Sequence, residues 1–217
     1  MTFPITLKSI KMLLAAEILS LLSEAFTLIV TGFSIAAFTL EISIEDFSNP
    51  QLVLMFFVML LLLAARVSCY ILYLIGMRRA SAEDDNFKVA FYATVISLVL
   101  AVPSSVFTLN KEIASIVELL LTLTVLLTEV YVLEGIRSLS KRLGHPEMDK
   151  RGGLIYLFIT TIFVIQTCVS VFILVLGGAT ASAAASWLGV AASFLSVAES
   201  LVFVFYFMSA IRIFSKE

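Results

Sequence analysis

The sequence has little charge, no long polar stretch and almost none of the side chains that hold metals. Charged residues make up 14% of its 217 positions, against roughly a quarter in ordinary soluble domains. No polar segment is long enough to form a soluble domain. One histidine, His145, and two cysteines, Cys69 and Cys168, are too few for a bis-histidine haem or a Cys/His zinc cage. No metal and no cofactor is therefore expected.

Both cysteines fall in apolar runs at different depths, too far apart for a disulfide, and read as small buried apolar residues. Asn-x-Ser/Thr acceptors are absent, so glycosylation gives no hint of compartment. The apolar runs contain no aspartate, and the chain has neither a His-Glu-x-x-His motif nor a glycine-rich phosphate loop. Intramembrane serine, aspartyl and zinc hydrolysis thus lack their parts, and the expectation is a protein that is not an enzyme. The net charge of -2 carries little information, and nucleic acid is not an expected partner.

Apolar sequence fills the space that these absences leave. Hydrophobic residues are 61% of the chain and the mean hydropathy is +1.10. A spanning helix needs roughly 20 predominantly apolar residues, and six segments qualify, at about 12–40, 53–76, 89–109, 113–136, 154–176 and 187–213. The first follows Lys8 and Lys11 as a signal peptide would, but it is too long for an h-region and reads as a retained helix. The connections after the first, third and fifth segments carry one basic residue, Lys111, whereas the termini and the other two connections carry twelve. The positive-inside bias then puts both termini in the cytoplasm.

Local punctuation agrees with these boundaries. "SAED" at 81–84 reads as a capping box opening the third helix, and Gly144 followed by Pro146 closes a fourth helix that projects past the membrane. The second, fourth and sixth helices end alike, in "GMR", "GIR" and "AIR" at 76–78, 135–137 and 210–212. Three tandem hairpins would explain the likeness, and so would the positive-inside bias alone. The fold expected is all-α, a polytopic six-helix bundle in a cell membrane, with 1–217 as a single integral domain.

Six ionisable residues lie away from the interfaces: Glu17, Glu24, Arg66, Glu118, Glu129 and Glu199. Five acids against one base cannot be neutralised by pairing. Counted at about 1.5 Å of rise per residue, Glu24, Arg66 and Glu199 lie some 15 to 20 Å deep and share a level near the midplane. Glu129 and Glu17 are shallower on the cytoplasmic side, and Glu118 lies in the outer half. Polar stripes mark the inward faces: Glu17, Ser20 and Glu24 on the first helix; Arg66, Cys69, Tyr70 and Tyr73 on the second; Ser115, Glu118, Thr122 and Glu129 on the fourth; Ser196, Glu199 and Tyr206 on the sixth. Gln166, Thr160, Thr161 and Thr167 give the fifth a polar side.

Two readings of this interior compete. In one, the polar residues are interhelical glue, with Arg66 salt-bridged to Glu24 or Glu199 and the chain acting as a membrane scaffold or regulatory subunit. In the other, the surplus carboxylates line a cavity that binds a proton, a metal cation or a small cationic solute and couples it to transport. Outside the spans, "SKRLGHPEMDKR", beginning at Ser140 and ending at Arg151, reads as a basic loop able to meet anionic headgroups or dock a soluble partner.

Overall fold

The computed structural model describes residues 4–39, 49–106, 111–176 and 181–215, with side chains over 5–30, 53–101, 116–168 and 190–215 apart from Met55 and Glu118. Among these residues there are six helices and no strand: α1 (Pro4–Thr39), α2 (Asn49–Ala80), α3 (Asp85–Val106), α4 (Lys111–Arg142), α5 (Pro146–Leu176) and α6 (Ala181–Phe214). Five of them, all but α3, are long and apolar enough to cross a membrane over their described residues. The side chains of α3 are described only as far as Ala101.

The helices overrun the apolar windows because nothing at the membrane surface stops a helix; it ends where its terminal backbone groups find other partners. Arg78 and Arg79 close α2, Lys141 and Arg142 close α4, and Arg212 closes α6, each set beside the negative end of its helix. The end of α4 is a Schellman turn. The Gly144 N–H donates to the Lys141 carbonyl at 3.0 Å, the His145 N–H donates to the Ser140 carbonyl at 3.0 Å, and Gly144 takes a φ of +76°. Pro146 then begins α5, with Glu147 and Asp149 in its first turn. The expected basic loop is therefore a correction: residues 140–151 are a helix end, a turn at 143–145 and a helix start.

The opening of α3 also differs from the expected capping box. Asp84, not Ser81, caps the helix: its Oδ1 accepts from the Asn86 backbone N–H at 3.0 Å and from Asn86 Nδ2 at 2.8 Å. Ser81 is spent on the Arg78 carbonyl at 2.7 Å, which leaves 81–83 as a turn. The second Asp84 oxygen accepts from Arg142 at 3.1 Å, tying this turn to the end of α4.

Each helix packs on its neighbours in sequence, and α1 packs on α6, so the six form a closed ring in chain order. Helix ends lie against helix starts throughout. A Cβ on Gly76, near the end of α2, would stand 3.0 Å from a Leu13 methyl on α1, and one on Gly135 of α4 would stand 2.6 Å from the Phe87 ring on α3. These are the glycines of "GMR" and "GIR", and each lets its hairpin close tightly. Ala210, fully buried, occupies the matching place on α6.

The apolar core lies at this basic end of the ring. Ile10, Leu13, Met77, Phe87, Leu133, Ile136, Met148, Phe203 and Phe207 bury there together, fastened by ion pairs of Arg137 with Glu134 and of Arg137 and Lys141 with Asp149. Thr6 of α1 adds a bond from its N–H to Glu83 at 2.8 Å. The outer faces are apolar and bare, with Leu61, Leu63, Leu154, Leu157, Val99 and Phe205 each at least 60% exposed. Apolar outside and polar inside is the arrangement that lipid selects.

Candidate functional site

A cavity of about 380 Å³ lies within the ring, lined by residues from all six helices. α1 supplies Glu17, Ser20, Ser23 and Glu24; α2 supplies Arg66, Cys69, Tyr70 and Tyr73. These are the stripes of charged and hydroxylated residues on helical spacing, and they face inward because lipid would leave them unsolvated. Thr128 and Glu129 line it from α4, Ser196, Glu199 and Ser200 from α6, and Gln166 from α5. Five of the six ionisable residues expected inside the membrane thus surround one space. Glu118 lies in α4, but its side chain, like that of Ser115, is outside the described residues.

Each acid is held differently. Glu17, 5% exposed, accepts a hydrogen bond from the Tyr73 hydroxyl at 2.7 Å. Glu24 uses both oxygens, accepting from Ser20 at 3.2 Å and from Ser200 of α6 at 3.0 Å. Glu129 of α4 and Glu199 of α6 pair up as neighbours in the lining, both bordering this cavity and the smaller space beside it. A smaller space of about 40 Å³ continues from this pair past Gln166 between α4, α5 and α6.

Arg66 corrects the expected ion pair. Its Nε donates to the Ser23 hydroxyl at 3.2 Å, and no ion pair among the described residues includes it. The side chain is exposed and forms part of the cavity wall, on which Glu24 also stands.

Other expectations divide. Tyr206 lies outside the cavity, buried at the basic end where a Cβ on Gly152 would stand 2.9 Å from its hydroxyl. Thr160 and Thr161 bond their own helix, to the Tyr156 and Leu157 carbonyls at 2.7 and 2.8 Å, and only Gln166 of the polar α5 residues lines the cavity. Cys69 is buried, its thiol 3.2 Å from the Ala16 carbonyl, but Cys168 is exposed, contrary to the expectation of two buried cysteines.

Sequence reasoning missed the contribution of α3 altogether. Thr94 and Ser97, three residues apart on one face, line the cavity, and Thr94 meets Thr128 of α4 at 3.2 Å. Their spacing was the available signal. No three His, Cys, Asp or Glu side chains among the described residues group as a metal ion would require.

The helices and this interior define an α-helical membrane protein with a charged polar cavity. Set against protein-family models, curated proteins and solved structures, the chain matches none.

Proposed function

We propose that the chain is a six-span transport protein of a cell membrane, with both termini cytoplasmic, that binds a cation, a proton or a small cationic solute in this cavity and carries it across. The observation that supports this reading is the convergence of Glu17, Glu24, Glu129 and Glu199 on one cavity, with Arg66 in the same wall and in no described ion pair. A scaffold built on polar glue would spend these groups on one another in packed contacts. Here they border a cavity of about 380 Å³, within the range of small-molecule sites.

Protons and cations compete for the same oxygens, so binding should weaken as pH falls and the carboxylates take up protons. The ionisable lining is Glu17 and Glu24 from α1, Arg66, Cys69, Tyr70 and Tyr73 from α2, Glu129 from α4 and Glu199 from α6; α3 and α5 present only Thr94, Ser97 and Gln166. The test is a pH-scanned binding screen of inorganic cations and small amines on protein in lipid nanodiscs. Glu129→Gln or Glu199→Gln should blunt the pH dependence while the protein stays folded. A folded protein that binds nothing in the screen, and whose triple Glu24, Glu129 and Glu199→Gln variant still supports its cellular role, would give the scaffold reading its place.

A further inference from the structure

The composition of the cavity says more about its occupant than its acidity does. A bare metal ion fits poorly, because it would leave most of the 380 Å³ unfilled and the described carboxylates form no metal-holding group. An organic molecule fits this size.

Much of the donor capacity of the wall is committed within the protein. Thr94, Ser97 and Thr128 direct their hydroxyl hydrogens to carbonyls of their own helices, Ala90, Thr94 and Thr124, at 2.8 to 3.0 Å. Ser20 and Ser200 spend theirs on Glu24, and Tyr73 spends its own on Glu17. What these six residues offer a guest is therefore chiefly oxygen lone pairs, while Tyr70, Gln166 and Ser196 add groups able to donate as well as accept. An ammonium group, with three donors and no acceptor, complements such a wall.

Arg66 is the cation of this lining. With Nε held by Ser23, its two terminal amino groups have no hydrogen bond among the described residues, and their planar fork suits a carboxylate or phosphate. We propose, on the strength of the transport reading above, that the occupant is a small zwitterion, its ammonium among the acidic residues and its anionic group on Arg66.

Four probes of matched carbon length separate the possibilities: 4-aminobutyrate, butylamine, 1,4-diaminobutane and butyrate, each titrated calorimetrically into the full chain in lipid nanodiscs. The zwitterion should bind at least ten-fold more tightly than the other three. Arg66→Gln should bring it down to the level of butylamine and leave butylamine unchanged, and Arg66→Lys should keep part of the preference. Butylamine or diaminobutane binding as tightly as the zwitterion, in a manner abolished by Glu129→Gln and Glu199→Gln, would overturn the zwitterion and leave the cation reading standing. Equal weakening of all ligands by Arg66→Gln would also overturn it, since the arginine would then act on the fold and not on the anionic group. Binding of none of the four would overturn the zwitterion and leave the cation reading to the wider pH-scanned screen.

Discussion

Single side chains carry unequal risk in this bundle. Tyr73 is the one donor recorded for the buried Glu17 carboxyl, so Tyr73→Phe leaves a buried acid without its partner and should cost about 1–3 kcal/mol of stability. Thermal unfolding in nanodiscs would measure this. Adding Glu17→Met should restore part of the loss, because removing both partners costs less than stranding one. The glycines separate two kinds of constraint. Gly135→Ala drives a methyl into the Phe87 ring and should cost about 1–3 kcal/mol, relieved by Phe87→Leu. Gly144→Ala meets no atom within 4 Å, but φ is +76°, so its cost is backbone strain of about 1 kcal/mol, indifferent to Phe87. The five charged cavity residues could be found in the sequence because a charge in an apolar run has few places to go. Hydroxyl residues could be found only in step with a charge, as Ser20, Tyr73 and Ser196 were; Thr160 and Thr161, with no charge beside them, satisfy themselves on their own helix, and residue type alone does not give the face. Neutral Thr94 and Ser97 carried no charge to draw attention to α3.

At the level of elements, hydropathy locates the hydrocarbon crossing and misses the overhang. The apolar window at 154–176 corresponds to a helix that begins at Pro146, and the one at 113–136 to a helix that runs on to Arg142. Those added turns are amphipathic, bury Leu139 and Met148, and bear the ion pairs. Asp84 shows what they connect: it caps α3 and receives Arg142 of α4. Asp84→Asn keeps a capping oxygen and loses only the charge, and because Arg142 is half exposed that loss should be under about 1 kcal/mol and shrink in high salt. Asp84→Ala removes the cap as well and should cost about 1–2 kcal/mol, largely insensitive to salt. Denaturation at low and high ionic strength distinguishes the two. Asp84 and Ser81 both suit a cap, and the choice between them falls to Asp84 through Arg142, a residue 58 positions away that no local pattern reveals.

For the whole molecule, the proposed orientation has a direct test. Single cysteines placed at 41–51 should react with an impermeant reagent added outside intact cells, and single cysteines placed at 81–88 should not, with Cys168 replaced in every variant. The reverse pattern would invert the bundle. Alternation of basic and neutral connections was readable along the chain; closure of the ring was not, because it depends on α1 and α6 meeting, which is a matter of long-range packing and not of periodicity.

That closure has a consequence for how the protein is made. Glu24 receives one of its two hydrogen bonds from Ser200, a residue 176 positions later in the chain. At roughly 5–20 residues per second of synthesis, the carboxylate waits about ten to thirty-five seconds for that partner. Cys69 and Tyr73 of α2 reach α1 much sooner, at Ala16 and Glu17. The first hairpin is thus assembled early with one acid still half served, and its polar face is completed only when α6 leaves the ribosome.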